Sequence, residues 1–468
     1  MASNTTTTKG IWWLQSQSDK RLQGEATYGP TSGAEVDLFG HPYESFDDQK
    51  LIERFTLHGL TFKARPISLF GCMVTGGEIN LPGGRSCKIR SVSGVVGGHY
   101  CSLDEVFFKE VRVQFKGLVE WTCTSGITLK VEETPQGIAM SYHVPPTIPL
   151  GKFGPFSIRI DFTAHAKPGF HSFGIEEDCL LIIEAEQMQS YLAFEDYILS
   201  FQRFLCLAIQ RATTPTQITG RIDKPREVLQ NTPIFEDFLV IRRLTELDWT
   251  GETLIPQHML FTLRELNCPP AEVFGKYLDR EKVLMASMDL YFSTIYSDSC
   301  IPRVDFLTLA QSLEAYHRAV LPGKYTTDEH YNLGLRKRLW AAVQSDDEPV
   351  HADFRASLSK KLDYLHEFSL NKRLKEIAKK QGPVLDQLIG CPDVFSKQVS
   401  ELRNKLTHPA EEPVESDTGH PELLRLSEKM ALLLEVCFLH EMGFSQERLK
   451  EIILNRSRRA YRVHRGWV

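Results

Sequence analysis

Residues 400–409 read SELRNKLTHP and hold Arg403, Asn404 and His408 together. On a helix at about 100° per residue, Asn404 and His408 share one face and Arg403 lies along its edge. Pro409 disfavours α conformation at His408, so the helix is predicted to end there. An imidazole at that end sits at the negative pole of the helix dipole, which favours its protonated form. Histidine is also the side chain that titrates near neutral pH. Metal-free cleavage of RNA needs a base for the 2′-hydroxyl, an acid for the leaving 5′-oxygen and a cation for the charge at phosphorus. His408 suits base or acid, Arg403 suits the phosphate clamp through its forked donors, and Asn404 suits the orienting group. One helix supplies one histidine, so two copies facing each other would complete the site, which suggests a homodimer.

The spacing alone is common in a chain with 15 histidines, and it recurs as Arg459 and His464 in RAYRVH, without the asparagine. Its plain alternatives are a helix C-terminus for the first pair and a solvated basic tail for the second. That tail, NRSRRAYRVHRGWV, carries Arg456, Arg458, Arg459, Arg462 and Arg465 with Tyr461 and Trp467 between them. Such interleaving can grip phosphates and stack bases, or form a loose end. Glu314 and His317 in QSLEAYHR are a possible supporting pair, or a surface pair three apart.

Other chemistries find no foothold. There is no Gly-Lys-Ser/Thr phosphate loop, no His-Glu-x-x-His and no Gly-x-Ser-x-Gly. Ten cysteines are scattered without Cys-x-x-Cys or zinc spacing and read as reduced thiols of a cytoplasmic protein, so neither metal nor cofactor is expected. No stretch approaches the roughly 18 apolar residues of a spanning helix, and the polar start MASNTTTTKG is neither signal nor anchor.

The elements that must carry these residues fall into an α+β multidomain chain. With 468 residues, 42% hydrophobic and 24% charged, two or three globular domains are expected. The net charge of -6 gives no overall basic footprint, so any RNA contact must come from a local patch. Residues 1–185 alternate over strand lengths between glycine-marked turns and predict an antiparallel β sandwich or barrel. Trp12 and Trp13 read there as core packing more than as a ligand surface. Residues 186–270 read as a helical and mixed connecting region, opened by helical spacing from Tyr191 to Ile209. Residues 271–468 predict an all-α bundle ending in the basic tail, with one helix over 350–381 and another ending at the motif.

The helical part resembles the HEPN domains through LRNKLTHP late in a helix and FLTLAQSLEAYHRAV before it. The β-rich part is similar to the amino-terminal domain of ApeA-type proteins through KGIWWL, SVSGVVGG and EVRVQFKGLVEW. Together they resemble bacterial abortive-infection proteins that act against phage. The resemblance implies that Arg403 and His408 carry metal-independent cleavage of RNA, tRNA or another host RNA, with Asn404 assisting. It further implies a dimer through the helical domain, a helix bearing Glu314 beside the motif groove, and a β domain that senses a phage-derived trigger. A HEPN domain that binds RNA or protein without cutting is the alternative.

Overall fold

The computed structural model describes residues 5–43, 54–78, 84–131, 138–171, 173–225, 227–229, 232–244, 247, 254–266, 268–297, 301–344, 351–407, 421–455 and 457–465. Two compact units divide the chain, Met1–Gly275 and Lys276–Val468.

The first unit is built on a closed barrel. Its strands are β1 (Thr6–Leu14), β2 (Leu22–Gly29), β3 (Gly33–Leu38), β4 (Phe55–Thr61), β5 (Pro66–Gly76) and β6 (Cys87–Ser91). Antiparallel pairing runs β5-β4-β1-β2-β3-β6 and returns to β5, so the ring has no free edge. Burial alternates along β3 and β6, as the two-residue period of a one-sided strand demands. Trp12 points inward and is 0% exposed, opposite Gly59 of β4. A Cβ on Gly59 would lie 2.3 Å from the Trp12 ring, so the missing side chain is the space the indole fills. Trp13 points to the other face, where the rings of His58 and His99 meet it edge-on.

From β5 the sheet branches away through β7 (Ser93–Val96). The further strands are β8 (Phe107–Phe115), the separate hairpin β9 (Ile127–Val131) and β10 (Ile138–Tyr142), β11 (Ile148–Phe153), β12 (Phe156–Pro168) and β13 (Phe173–Ser190). Then come β14 (Pro215–Arg221), the small hairpin β15 (Glu227–Leu229) and β16 (Thr232–Ile234), and β17 (Phe238–Arg242). Beyond the barrel the order is β7-β17-β14-β8-β13-β12-β11. Residues expected in a connecting region therefore supply the middle of the sheet: β14 and β17 fill the gap between β7 and β8, and β13 continues to Ser190. A short helix α1 (Leu118–Thr122) and the long α2 (Tyr191–Ile209) accompany this sheet. Phe194 of α2 packs on Phe156, and Phe201 and Phe204 pack on Trp121, with ring centroids 5.0 to 6.3 Å apart.

Helix α3 (Pro270–Tyr296) begins in the first unit and runs on into the second. There follow α4 (Pro302–Val320), α5 (Asp328–Leu333), α6 (Leu335–Val343), α7 (Ala352–Asp363), α8 (Leu370–Gln381), α9 (Pro383–Ile389) and α10 (Pro392–Thr407). The last are α11 (Pro421–Glu441), α12 (Gln446–Asn455) and α13 (Arg458–Arg465). Every residue from Lys429 to Leu439 is buried, so α11 is the bundle's central rod. The helix expected over 350–381 is two, because the chain turns at Tyr364–Ser369 and restarts with Ser369 as N-cap of α8. Among the described residues no helix is long and apolar enough to cross a membrane.

Gly59→Ala should cost the first unit about 1–3 kcal/mol by overpacking against Trp12. Gly76→Ala, whose Cβ would meet nothing within 4 Å, should stay within about 0.5 kcal/mol. Thermal unfolding midpoints of the two variants against the parent chain measure the difference.

Candidate active site

Helix α10 owes its form to a buried stripe of Phe395, Ser396, Val399 and Leu406 at helical spacing. Its opposite stripe, Lys397, Ser400, Glu401 and Asn404, borders a cleft of about 690 Å³ together with Arg403. Arg403 is half-buried and points Nη1 toward Asn404 Oδ1 at 3.4 Å. The helix end is held from α4, where Arg303 Nη2 donates to the Leu406 carbonyl at 2.6 Å, a cation at the negative pole. The Thr407 hydroxyl donates to the Arg403 carbonyl at 2.9 Å. His408 and Pro409 lie outside the described residues.

Glu314 borders the same cleft, as the groove expectation had it, but its carboxylate accepts from Arg318 at 3.1 Å and not from Arg403. Arg318 also donates to Glu367 at 2.7 Å. The opposite wall is the turn between α7 and α8, with Tyr364 and Phe368. A second cavity of about 590 Å³ adjoins the first, sharing Arg318 and Glu367 and adding Lys324, Thr327 and Arg373.

His317 is not beside Arg403. It is 0% exposed, and Arg373 Nη1 donates to its Nδ1 at 3.0 Å. An arginine only donates, so Nδ1 accepts and the ring proton sits on Nε2, 3.0 Å from Glu376. Burial lowers the His317 pKa, and the Arg373 charge adds to that, outweighing the bond to Glu376. A buried neutral imidazole of this kind positions Arg373 and meets no substrate.

The basic segment at the chain's end is a helix against α11. Arg459 donates through Nε to the buried Glu435 at 2.9 Å and through Nη1 to Glu428 at 2.7 Å. Arg462 donates to Glu428 at 2.8 Å, and Ala460 and Val463 are buried. Burial works against the charge of Arg459, but the two carboxylates more than offset it and push its pKa up. Arg459, largely buried between two carboxylates, is thus spent on α11, whereas Arg462 pairs with Glu428 and stays exposed, so the segment is a docked helix and not a loose end. Arg458 and Arg465 are exposed, and Arg465 lies 5.6 Å over the Tyr461 ring. Arg456 and Trp467 lie outside the described residues.

Sequence reasoning missed Arg318, Tyr364 and Lys397 as neighbours of the motif. Lys397 was findable, two helical turns before Asn404 on the same stripe. Arg318 and Tyr364 come from other helices and carry no local signal. Among the described residues no group of three or more His, Cys, Asp or Glu side chains is placed to hold a metal ion.

A family model described as ApeA N-terminal domain 1 matches residues 7–277, and a second, described as Apea-like HEPN, matches residues 307–448. The first spans more than half of the 468 residues and stops beside the boundary between the two units; the second contains all of α10. No curated protein and no solved structure matches the chain.

Two outcomes follow from the two buried networks. A histidine with a lowered folded pKa refuses a proton that the unfolded chain accepts near its ordinary value of about 6.5, so its contribution is complete above that pH and declines as pH falls through it. His317→Phe should lower stability at about pH 7.5 yet flatten the loss between about pH 7 and pH 5, read by urea unfolding followed by circular dichroism. Arg459→Ala, which leaves the buried Glu435 carboxylate without its arginine and only partly compensated by the Tyr291 hydroxyl that donates to it at 2.8 Å, should cost the helical unit about 3–5 kcal/mol in the same assay.

Proposed function

This chain belongs to the ApeA N-terminal domain 1 family and carries an Apea-like HEPN domain, and on that premise we propose that it is an endoribonuclease of anti-phage defence. The observation that carries the reading is Arg403 beside Asn404 on α10, bordering a cleft with further cations inside the region matched as HEPN. Here His408 removes the 2′-hydroxyl proton or protonates the leaving 5′-oxygen, and its counterpart in a second copy does the other. The 2′-oxygen bonds to phosphorus as the P–O5′ bond breaks, leaving a 2′,3′-cyclic phosphate and a free 5′-hydroxyl. Arg403 stabilises the charge on the phosphoryl oxygens, and Asn404 orients the phosphate or the imidazole. No step requires a metal.

The substrate is tRNA or another host RNA in the cytoplasm, and the dimer forms through the helical domain. The β-rich unit restrains the site until a phage product arrives, because an unrestrained ribonuclease would harm its own host. Abortive infection is the outcome of release.

The test incubates the purified full chain with tRNA, with and without extract of phage-infected cells and with and without EDTA. Arg403→Ala and His408→Ala should each slow cleavage by about 10²–10⁴-fold, and EDTA should change nothing. Cleavage that ignores both substitutions would sink the enzymatic reading, and RNA retention without any cleavage in every condition would favour a binding module. Cleavage abolished by EDTA would overturn the metal-free mechanism.

A further inference from the structure

We propose that Tyr364 is the stacking platform of a nucleotide subsite beside the motif, with Arg318 its phosphate contact, so that the RNA is bound and cut where it is unpaired. The inference rests on the ribonuclease reading above.

Tyr364 follows the last turn of α7 and is 68% exposed, yet it borders the same cleft as Arg403, Asn404 and Lys397. Its backbone is fixed, since its N–H donates to the Lys361 carbonyl at 3.3 Å and its carbonyl accepts from Glu367 N–H at 3.0 Å. Among the described residues the ring stacks on no other ring. An exposed, unstacked aromatic ring carried on a held backbone, on the wall of a cleft that contains arginines, can offer a nucleobase its face.

Charge makes the stacking term the larger one. The cleft's cations are Arg318, Lys397 and Arg403, and its carboxylates are Glu314, Glu367 and Glu401, so the formal charge of the lining is zero. Backbone attraction is accordingly weak, and affinity must come from a base. Arg318 is the cation best prepared for a phosphate: its side chain is half exposed while Glu314 and Glu367 hold the guanidinium in one orientation. It also stands between the two cavities, so a strand lying past Tyr364 and Arg318 continues toward Lys324. Ser400 borders the first cavity, and its buried hydroxyl has no hydrogen-bond partner. A duplex cannot use this platform, because its bases already stack on one another and only unpaired bases present a free face.

Binding of a roughly ten-nucleotide unstructured 2′-fluoro oligonucleotide, which cannot be cleaved, is measured by fluorescence anisotropy beside a 2′-fluoro hairpin duplex. Tyr364→Ala in the full chain should weaken single-strand binding about tenfold or more, Tyr364→Phe should restore it, and duplex binding should not respond. In cleavage of unmodified RNA the same change should appear in KM and leave kcat nearly unchanged. The salt slope should be shallow, corresponding to about one or two phosphates. Equal binding by Tyr364→Ala and the parent chain, no rescue by phenylalanine, equal loss on the duplex, or no single-strand binding at all overturns the subsite. Cleavage that depends on Arg403 but ignores Tyr364 leaves the ribonuclease reading standing without it. Stacking-dependent binding with no cleavage does the reverse.

Discussion

A cation with almost no access to water holds the cleft together. Arg373 is 1% exposed, and a buried guanidinium is tolerable only when its donors are met. Nε donates to the Phe368 carbonyl at 3.0 Å, Nη1 to His317, and Nη2 to Glu367 at 3.2 Å and the Gly323 carbonyl at 3.4 Å. Those partners belong to α4, to the turn after it, and to the turn between α7 and α8. One side chain on α8 therefore fixes both turns that wall the two cavities. A Cβ at position 323 would lie 2.5 Å from Nη1, which is why that turn has glycine at the point of closest approach. Glu367 serves two arginines at once, so the position of Arg318 in the cleft is set by the buried Arg373 behind it.

Arg403 and Arg459 make the limits of spacing plain. Each stands five residues before a histidine on or near a helix end, and their fates differ because of what faces them. Arg459 meets Glu435 and Glu428 on the central helix and becomes a fastening for α13. Arg403 meets Asn404 and a cleft. The chain alone could not place α11 against α13, so the asparagine, the proline after the histidine and the family resemblance had to separate the two sites.

The same division holds for the fold. Helices with their own amphipathic stripe were legible nearly to the residue: the helical spacing read from Tyr191 to Ile209 is α2, and the helix read as ending at the motif is α10, which runs to Thr407. The barrel strands were legible as a class through alternation and glycine turns. Features that answer to distant partners were not. β14 and β17 enter a sheet whose order depends on a gap between β7 and β8. The break at Tyr364–Ser369 interrupts a run of helical spacing because Arg373 and Glu367 hold the turn. At the site, Arg403 and Asn404 were readable from the motif, while Arg318 and Tyr364 reach the cleft only through tertiary contacts. Glu314 was expected beside the groove for the right helix, but its carboxylate serves Arg318 instead.

A cleft with balanced charge on a chain of net charge -6 has a consequence for how RNA would arrive. Strongly basic grooves draw nucleic acid over long distances and hold it regardless of sequence or structure. Here the long-range field offers no such pull, so capture depends on short-range fit, a stacked base and an oriented guanidinium. On the ribonuclease reading this suits a protein that lives among abundant host RNA. Paired or protein-covered strands present no free base face and gain little from the cleft, so quiescence rests partly on the site's own selectivity. If the β-rich unit restrains the site as proposed, that restraint has only the remaining unpaired RNA to guard against, a smaller task than silencing a groove that binds every phosphate backbone.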